Sequence, residues 1–81
     1  MDRLVAELIQ IGRTDGYLSN TPGGSFNEYR QHIRAREIGE ALNERGGMDM
    51  MRAACYRVRA ALPGEARSLE SAWGGIGRWL P

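Results

Sequence analysis

The sequence predicts an all-α fold, a compact bundle of four helices with antiparallel packing. Apolar residues recur at helical spacing in four segments, and Gly, Pro or capping residues separate these segments. No segment shows the period-two alternation with β-branched residues that a half-buried strand requires. Short connections after the first loop favour antiparallel neighbours. The predicted helices span about residues 2–13, 26–45, 49–62 and 65–80.

The first predicted helix begins near Asp2, an acidic residue that suits the positive end of the helix dipole. Its apolar arc of roughly 160° is wider than the stripe of an ordinary surface helix. It comprises Leu4, Val5, Leu8, Ile9 and Ile11. We therefore expect this helix to be buried on more than one side. The stretch from Thr14 to Gly24 is rich in turn-forming residues and is predicted to be a loop.

The second predicted helix has a start and a stop signal. Ser25 and Glu28 have the spacing of a capping box, in which each side chain bonds the backbone N–H of the other residue. Gly46 and Gly47 follow the last predicted turn, where a glycine in the left-handed conformation commonly ends a helix. We expect Gly46 to take that conformation.

Apolar residues lie on two opposite faces of this second helix. Phe26, Tyr29 and Ile33 cluster on one face at helical spacing. The opposite face, which we expect to meet the rest of the bundle, carries Ala35, Ile38, Ala41 and Leu42. A helix inside a simple bundle shows one stripe from end to end, so the first cluster needs its own explanation.

Three arrangements would explain the cluster of Phe26, Tyr29 and Ile33. The helix could break near Arg34, although the surrounding residues include no proline. The preceding loop could fold back and cover the cluster with Tyr17 and Leu18. A second copy of the chain could also meet it across a two-fold axis. The last two arrangements are compatible with each other.

The third predicted helix has the most regular apolar stripe in the chain. Asp49 is its expected N-cap, Pro63 and Gly64 end it, and its stripe consists of Met51, Ala54, Cys55, Val58 and Leu62. The fourth helix would align Ala66, Leu69, Trp73, Ile76 and Leu80. Three glycines after residue 73 each cost a helix interior about 1 kcal/mol, so a break after residue 73 is the alternative.

Length and cysteine content limit the class of protein. The 81 residues are expected to form a single helical domain, 1–81, with a small core. Cys55 is the one cysteine, which excludes a disulfide within the chain and is typical of a reducing compartment. The start lacks the pattern of a signal peptide, and no apolar run reaches the length of a membrane span. We therefore expect a cytoplasmic protein with no membrane partner.

The charge pattern makes nucleic-acid binding the alternative function. Eleven basic residues, all arginine, stand against ten acidic ones, a balance that argues against a dedicated polyanion binder. The third helix nevertheless carries arginines with an interleaved aromatic, which could hold phosphates and stack on bases. These nucleic-acid candidates are Arg52, Tyr56, Arg57 and Arg59. Nearby acids would repel a phosphate backbone, namely Glu37, Glu40, Glu44 and Asp49.

The residue types that carry catalysis are few and poorly placed. His32 lies four residues from both Glu28 and Arg36, a spacing expected for a solvated charge row on a helix. One Cys and one His cannot assemble a structural zinc site, and no metal or other cofactor is expected. Cys55 lies on the predicted core stripe, so we expect a buried, unreactive thiol. The sequence therefore predicts no enzyme.

The favoured function is a non-enzymatic protein–protein interaction module, expected to form a homodimer and open to an unknown protein partner. The first interface candidates are Phe26, Tyr29 and Ile33, because their face points away from the predicted core. Trp73 and Trp79 are further candidates, since Trp is a favoured interface anchor. The alternative is that both tryptophans cover the end of the core.

Overall fold

The computed structural model describes residues 2–14, residue 17 and residues 26–79, with the side chains of 26–29 outside the description. Within these residues the chain forms three helices: α1, Asp2–Thr14; α2, Phe26–Ala61; and α3, Ala66–Ala72. The all-α prediction is confirmed, whereas the predicted count of four helices is wrong. The antiparallel packing stays a prediction. The predicted capping box of Ser25 and Glu28, together with Leu18 and Leu80, lies outside the described part.

The predicted second and third helices form one element, α2, with a bend at Gly47. This residue has φ 67° and ψ −155°, a region of backbone space that only glycine occupies readily. A straight helix of 36 residues would be about 54 Å long, yet the longest dimension of the molecule is 35 Å. The chain therefore turns sharply at Gly47 and resumes helical structure at once. For this reason Asp49 lies within α2 and caps nothing, and the special glycine is Gly47 rather than Gly46.

The last helix is shorter than residues 65–80. α3 ends at Ala72, one residue before the predicted alternative break, because Gly75 and Gly77 take positive φ values of 86° and 55°. The guanidinium of Arg36, on α2, donates from Nη1 to the carbonyl oxygens of Ala72 and Gly74 at 2.8 and 2.9 Å. A cation bonded to the last carbonyls of a helix stabilises that end.

One core lies between the three helices, and both parts of α2 contribute to it. We name the two parts the first limb, residues 26–46, and the second limb, residues 48–61. Most buried side chains lie on the predicted stripes, and they comprise Val5, Leu8, Ile11, Ala35, Ile38, Leu42, Met51, Ala54, Cys55, Val58, Leu69, Ala72, Trp73 and Ile76. The predicted stripe residues Leu4, Ile9 and Leu62 are only partly buried. The predicted burial of Cys55 is thus confirmed. No helix in the described part of the chain is long and apolar enough to cross a membrane.

Candidate interaction surfaces

The first limb of α2 presents two faces of opposite character. We define the inner face as the buried Ala35, Ile38, Gly39 and Leu42, and the outer face as the exposed Arg30, Ile33, Glu37, Glu40 and Glu44. Leu42 follows Ile33 by nine residues, which at about 100° per residue puts it half a turn away. Ile33 is exposed and Ala35, Ile38 and Leu42 are buried, as predicted, whereas Ala41 is only partly buried. The predicted alternative of a break near Arg34 is absent, since α2 is helical there.

The inner face is shaped around a tryptophan from the end of α3. The indole Nε1–H of Trp73 donates to the carbonyl oxygen of Ala35 at 2.9 Å. Gly39 has no side chain to keep the ring away, and a Cβ atom there would lie 2.6 Å from Nε1. Trp73 has no exposed surface. The structure thus places Trp73 in the core, where no partner can reach it, rather than at an interface.

Tyr17 joins the loop after α1 to the core. Its hydroxyl donates to the carbonyl oxygen of Leu8 at 2.7 Å, and its own carbonyl oxygen lies 2.8 Å from Nδ1 of His32. Gly12 gives the phenol room, because a Cβ atom there would lie 2.5 Å from the hydroxyl oxygen. Burial raises the pKa of the Tyr17 phenol, and the charges of Glu65 and Cys55 raise it further. Tyr17 therefore packs against α1.

Ile33 remains exposed on the outer face. Its exposed fraction is 39%, and among the described residues the only other large exposed apolar side chain is Tyr56. Ile33 also borders an open groove of about 500 Å³ between α1 and α2, which is lined by Glu7, Ile11, Arg30, Gln31, Ile33, Arg34 and Glu37. Helical spacing puts positions 26 and 29 on the same face as Ile33, although their side chains lie outside the description.

Arg34 closes one side of this groove through a bidentate ion pair with Glu7. Its Nη2 atom is 3.0 Å from Oε1 of Glu7, and its Nε atom bonds the other carboxylate oxygen. The hydrogen bond from Arg34 lowers the pKa of Glu7. Because Arg34 is bonded to Glu7, its side chain lines the groove beside Ile33.

A second candidate surface is a shallow cleft between the second limb and the end of the chain. The cleft, of about 140 Å³, is lined by Arg52, Cys55, Tyr56, Arg59, Glu70 and Trp79. It unites three of the four predicted nucleic-acid candidates with Trp79. Tyr56 is 74% exposed. The fourth candidate, Arg57, lies apart and forms an ion pair of 2.6 Å with Asp2.

The charge of this cleft is largely balanced within the chain. Arg59 pairs with Glu70 at 3.2 Å, whereas Arg52 has no ion pair among the described residues. Trp79 is half-buried, donates from Nε1 to the carbonyl oxygen of Glu70 at 2.9 Å, and meets Trp73 edge-on at 5.2 Å between ring centroids. The cleft thus presents the exposed ring of Tyr56 and the guanidinium of Arg52, which forms no ion pair among the described residues.

The residues weighed for catalysis have structural roles. His32 holds the backbone of Tyr17, and Arg36 holds the end of α3. The pKa of the Cys55 thiol is raised by burial and by the nearby charge of Glu70, which disfavours a reactive thiolate. No three His, Cys, Asp or Glu side chains of the described residues are grouped so that they could hold a metal ion.

Sequence reasoning missed two of these positions. Gly39 was not singled out, and Arg36 was interpreted as part of a solvated charge row. A glycine four residues after a buried alanine, Ala35, is the signal that could have indicated close approach of a bulky group.

Comparison with protein-family models, curated proteins and solved structures found no match. The function is therefore argued from the surfaces described above.

Proposed function

We propose that the protein is a non-enzymatic helical interaction module that forms a homodimer through the outer face of α2. The observation that carries this proposal is the exposure of Ile33 on a face opposite the core. Helical spacing adds Phe26 and Tyr29 to that face, so three apolar positions would share it. We place the protein in the cytoplasm as part of the same proposal, since its single cysteine has no partner for a disulfide within the chain.

A second copy is the simplest partner for this face. An interface around a two-fold axis uses one patch twice and needs no further complementary surface on the chain. A domain of 81 residues has a small core, so apolar area buried against a second copy adds to its stability. Full burial of an exposed isoleucine contributes about 1.5–3 kcal/mol, so covering the 39% of Ile33 that is exposed would contribute about 0.6–1.2 kcal/mol per copy. The two-fold axis doubles this contribution.

The test is the solution mass of the wild type and of a double variant, Tyr29→Glu with Ile33→Glu. We expect a wild-type dimer and a monomeric variant with the same helix content by circular dichroism. Uncompensated carboxylates at an apolar contact should raise the dissociation constant by on the order of a hundredfold. Sedimentation equilibrium over a concentration series measures both quantities.

A matched control introduces the same charges elsewhere. Ala53 and Ala60 are exposed on the second limb of α2, away from the outer face. The double variant Ala53→Glu with Ala60→Glu should remain dimeric if the outer face is the interface. A wild type that stays monomeric at high micromolar concentration would rule out the proposal.

Nucleic-acid binding through the cleft is the second candidate function. The exposure of Tyr56 beside Arg52 and Arg59 favours it, because a free aromatic ring can stack on a base while guanidinium groups bind phosphates. The pairing of Arg59 with Glu70 and the net charge of +1 weigh against it. A salt titration with single-stranded RNA decides the matter, since phosphate contacts release counterions and binding must fall steeply with salt. Tyr56→Ala should abolish any such binding.

A further inference from the structure

We propose that the two copies meet with the first limbs of α2 antiparallel, around a two-fold axis that passes between Ile33 and Arg34. In this register Glu37 of each copy faces Arg30 of the other. The inference rests on the proposed homodimer and specifies its geometry. It follows from the charges of the outer face, which differ between its two ends.

The end of the outer face near the bend is acidic. Glu37, Glu40 and Glu44 are all exposed, and helical spacing puts them within about 60° of one another on the face that Ile33 begins. The other end of the same face carries the exposed cation Arg30 and the apolar Ile33. The outer face therefore has a cationic and apolar start and an acidic continuation.

This asymmetry selects the direction in which two copies can pack. A parallel arrangement would set Glu37, Glu40 and Glu44 each against its own counterpart, and like charges held close together are destabilising. An antiparallel arrangement avoids these like-charge contacts and sets Glu37 of one copy against Arg30 of the other. It also opposes the two helix dipoles, which is favourable.

The register follows from the positions of the apolar residue and the charges. Residues 30 and 37 are equally distant from a point between residues 33 and 34, so an axis there brings each Arg30 opposite a Glu37. The two Ile33 side chains then lie side by side next to the axis. By symmetry the interface contains two such ion pairs around one apolar centre, an arrangement that pairs opposite charges at the rim.

Both partners of the proposed ion pair are able to make it. The side chain of Glu37 is 56% exposed, and its contact with Arg34 within the chain is 3.7 Å, longer than a hydrogen bond. Arg30 is exposed, and a guanidinium with five N–H donors can bond within its own chain and across an interface at once. Arg34 already bonds Glu7 through Nε and Nη2, so fewer of its N–H groups remain for the partner's acids.

Charge reversal tests the register. Four proteins are compared by sedimentation equilibrium at low salt: the wild type, Glu37→Arg, Arg30→Glu, and the chain that carries both substitutions. Each single substitution replaces two attractive contacts with two repulsive ones and should weaken the dimer about tenfold. The double variant exchanges the signs and should return to within about twofold of the wild type.

The outcomes separate this inference from the proposed function. A monomeric wild type overturns both, whereas a wild-type dimer whose affinity is unchanged in all three variants overturns only the register. An equimolar mixture of the two single variants that associates more tightly than the wild type would indicate parallel helices and also overturn the register. Circular dichroism of each variant verifies that helix content is retained. The control Arg67→Glu, an exposed reversal on α3, should leave the dimer unchanged.

Discussion

The inner and outer faces of the first limb of α2 belong to the same turns of the same helix, yet they are occupied differently. On the inner face, Ala35 and Gly39 receive the indole of Trp73 at a distance that no larger side chain would permit. On the outer face, Ile33 and a row of acids are exposed, and Glu37 forms an ion pair with Arg34 of its own helix. Substitutions on the inner face should therefore reduce folding stability, whereas substitutions on the outer face should reduce association.

The largest expected effect is at the inner face. Trp73→Ala removes a fully buried ring and its hydrogen bond to Ala35, and such truncations cost about 3–5 kcal/mol. This is a large part of the total stability of a small domain, so the cooperative urea transition should shift strongly or disappear. Tyr56→Ala is the matched control, because it truncates an aromatic ring that is 74% exposed and should change the free energy of unfolding by at most about 0.5 kcal/mol.

Similar losses for Trp73→Ala and Tyr56→Ala would contradict the contrast between a closed core and an open surface. The free energies should be compared at one protein concentration, since dimerisation adds to the apparent stability of both proteins.

The next effect is at the bend that separates the limbs. Gly47→Ala should reduce the free energy of unfolding by about 1–3 kcal/mol, because φ 67° with ψ −155° is unfavourable for any residue with a Cβ atom. Steric contact does not contribute, since no other atom lies within 4 Å of the added carbon. Gly64→Ala is the control: its Cβ atom also meets open space, and its backbone is not in the positive φ region. A stabilised Gly47→Ala would mean that α2 continues straight.

The sequence predicted the helical class, three residues of the inner face and a helix stop at the paired glycines from local patterns. Apolar spacing of 3.6 residues identified Ala35, Ile38 and Leu42 without knowledge of their partners. The paired glycines at 46 and 47 indicated a stop, but glycine chemistry does not specify whether a helix resumes in a new direction. The predicted helix count was therefore wrong, because it depends on whether the residues after Gly47 resume the helix.

The parts that the sequence did not predict depend on contacts between distant residues. The apolar stripe of the fourth predicted helix includes Trp73, but the close approach of its ring to Gly39 on another helix is not visible in local spacing. A cover of Tyr17 and Leu18 over the cluster was one of three possible arrangements, and the contacts of Tyr17 with Gly12 and the Leu8 carbonyl oxygen could not be read from the sequence. Spacing along one helix gives a side chain's face but not its partner, so these placements required the three-dimensional structure.

Tyr17 gives the smallest expected effect and tests whether its side chain belongs to the core. Tyr17→Phe keeps the buried ring and removes the hydrogen bond to the carbonyl oxygen of Leu8. That oxygen also accepts the helical bond from the N–H of Gly12, so it is not left without a partner. The loss at neutral pH should therefore be near the average for a hydrogen bond, about 1 kcal/mol, as measured by urea unfolding.

The pH dependence of Tyr17→Phe provides the decisive measurement. Burial raises the pKa of Tyr17 in the folded protein, whereas the unfolded phenol ionises near pH 10. Below that pH both states hold the proton and the phenol adds no pH dependence. Above it the unfolded state loses its proton first, so the wild type loses about 1.4 kcal/mol per pH unit, a loss that Tyr17→Phe escapes. The stability deficit of Tyr17→Phe relative to the wild type should thus shrink and reverse at alkaline pH.

Subtraction of the two curves of unfolding free energy against pH removes the contribution of Cys55, whose pKa is also raised by burial. Parallel curves would show that the phenol ionises as readily in the folded chain as in the unfolded one, and that Tyr17 lies on the open side of the molecule.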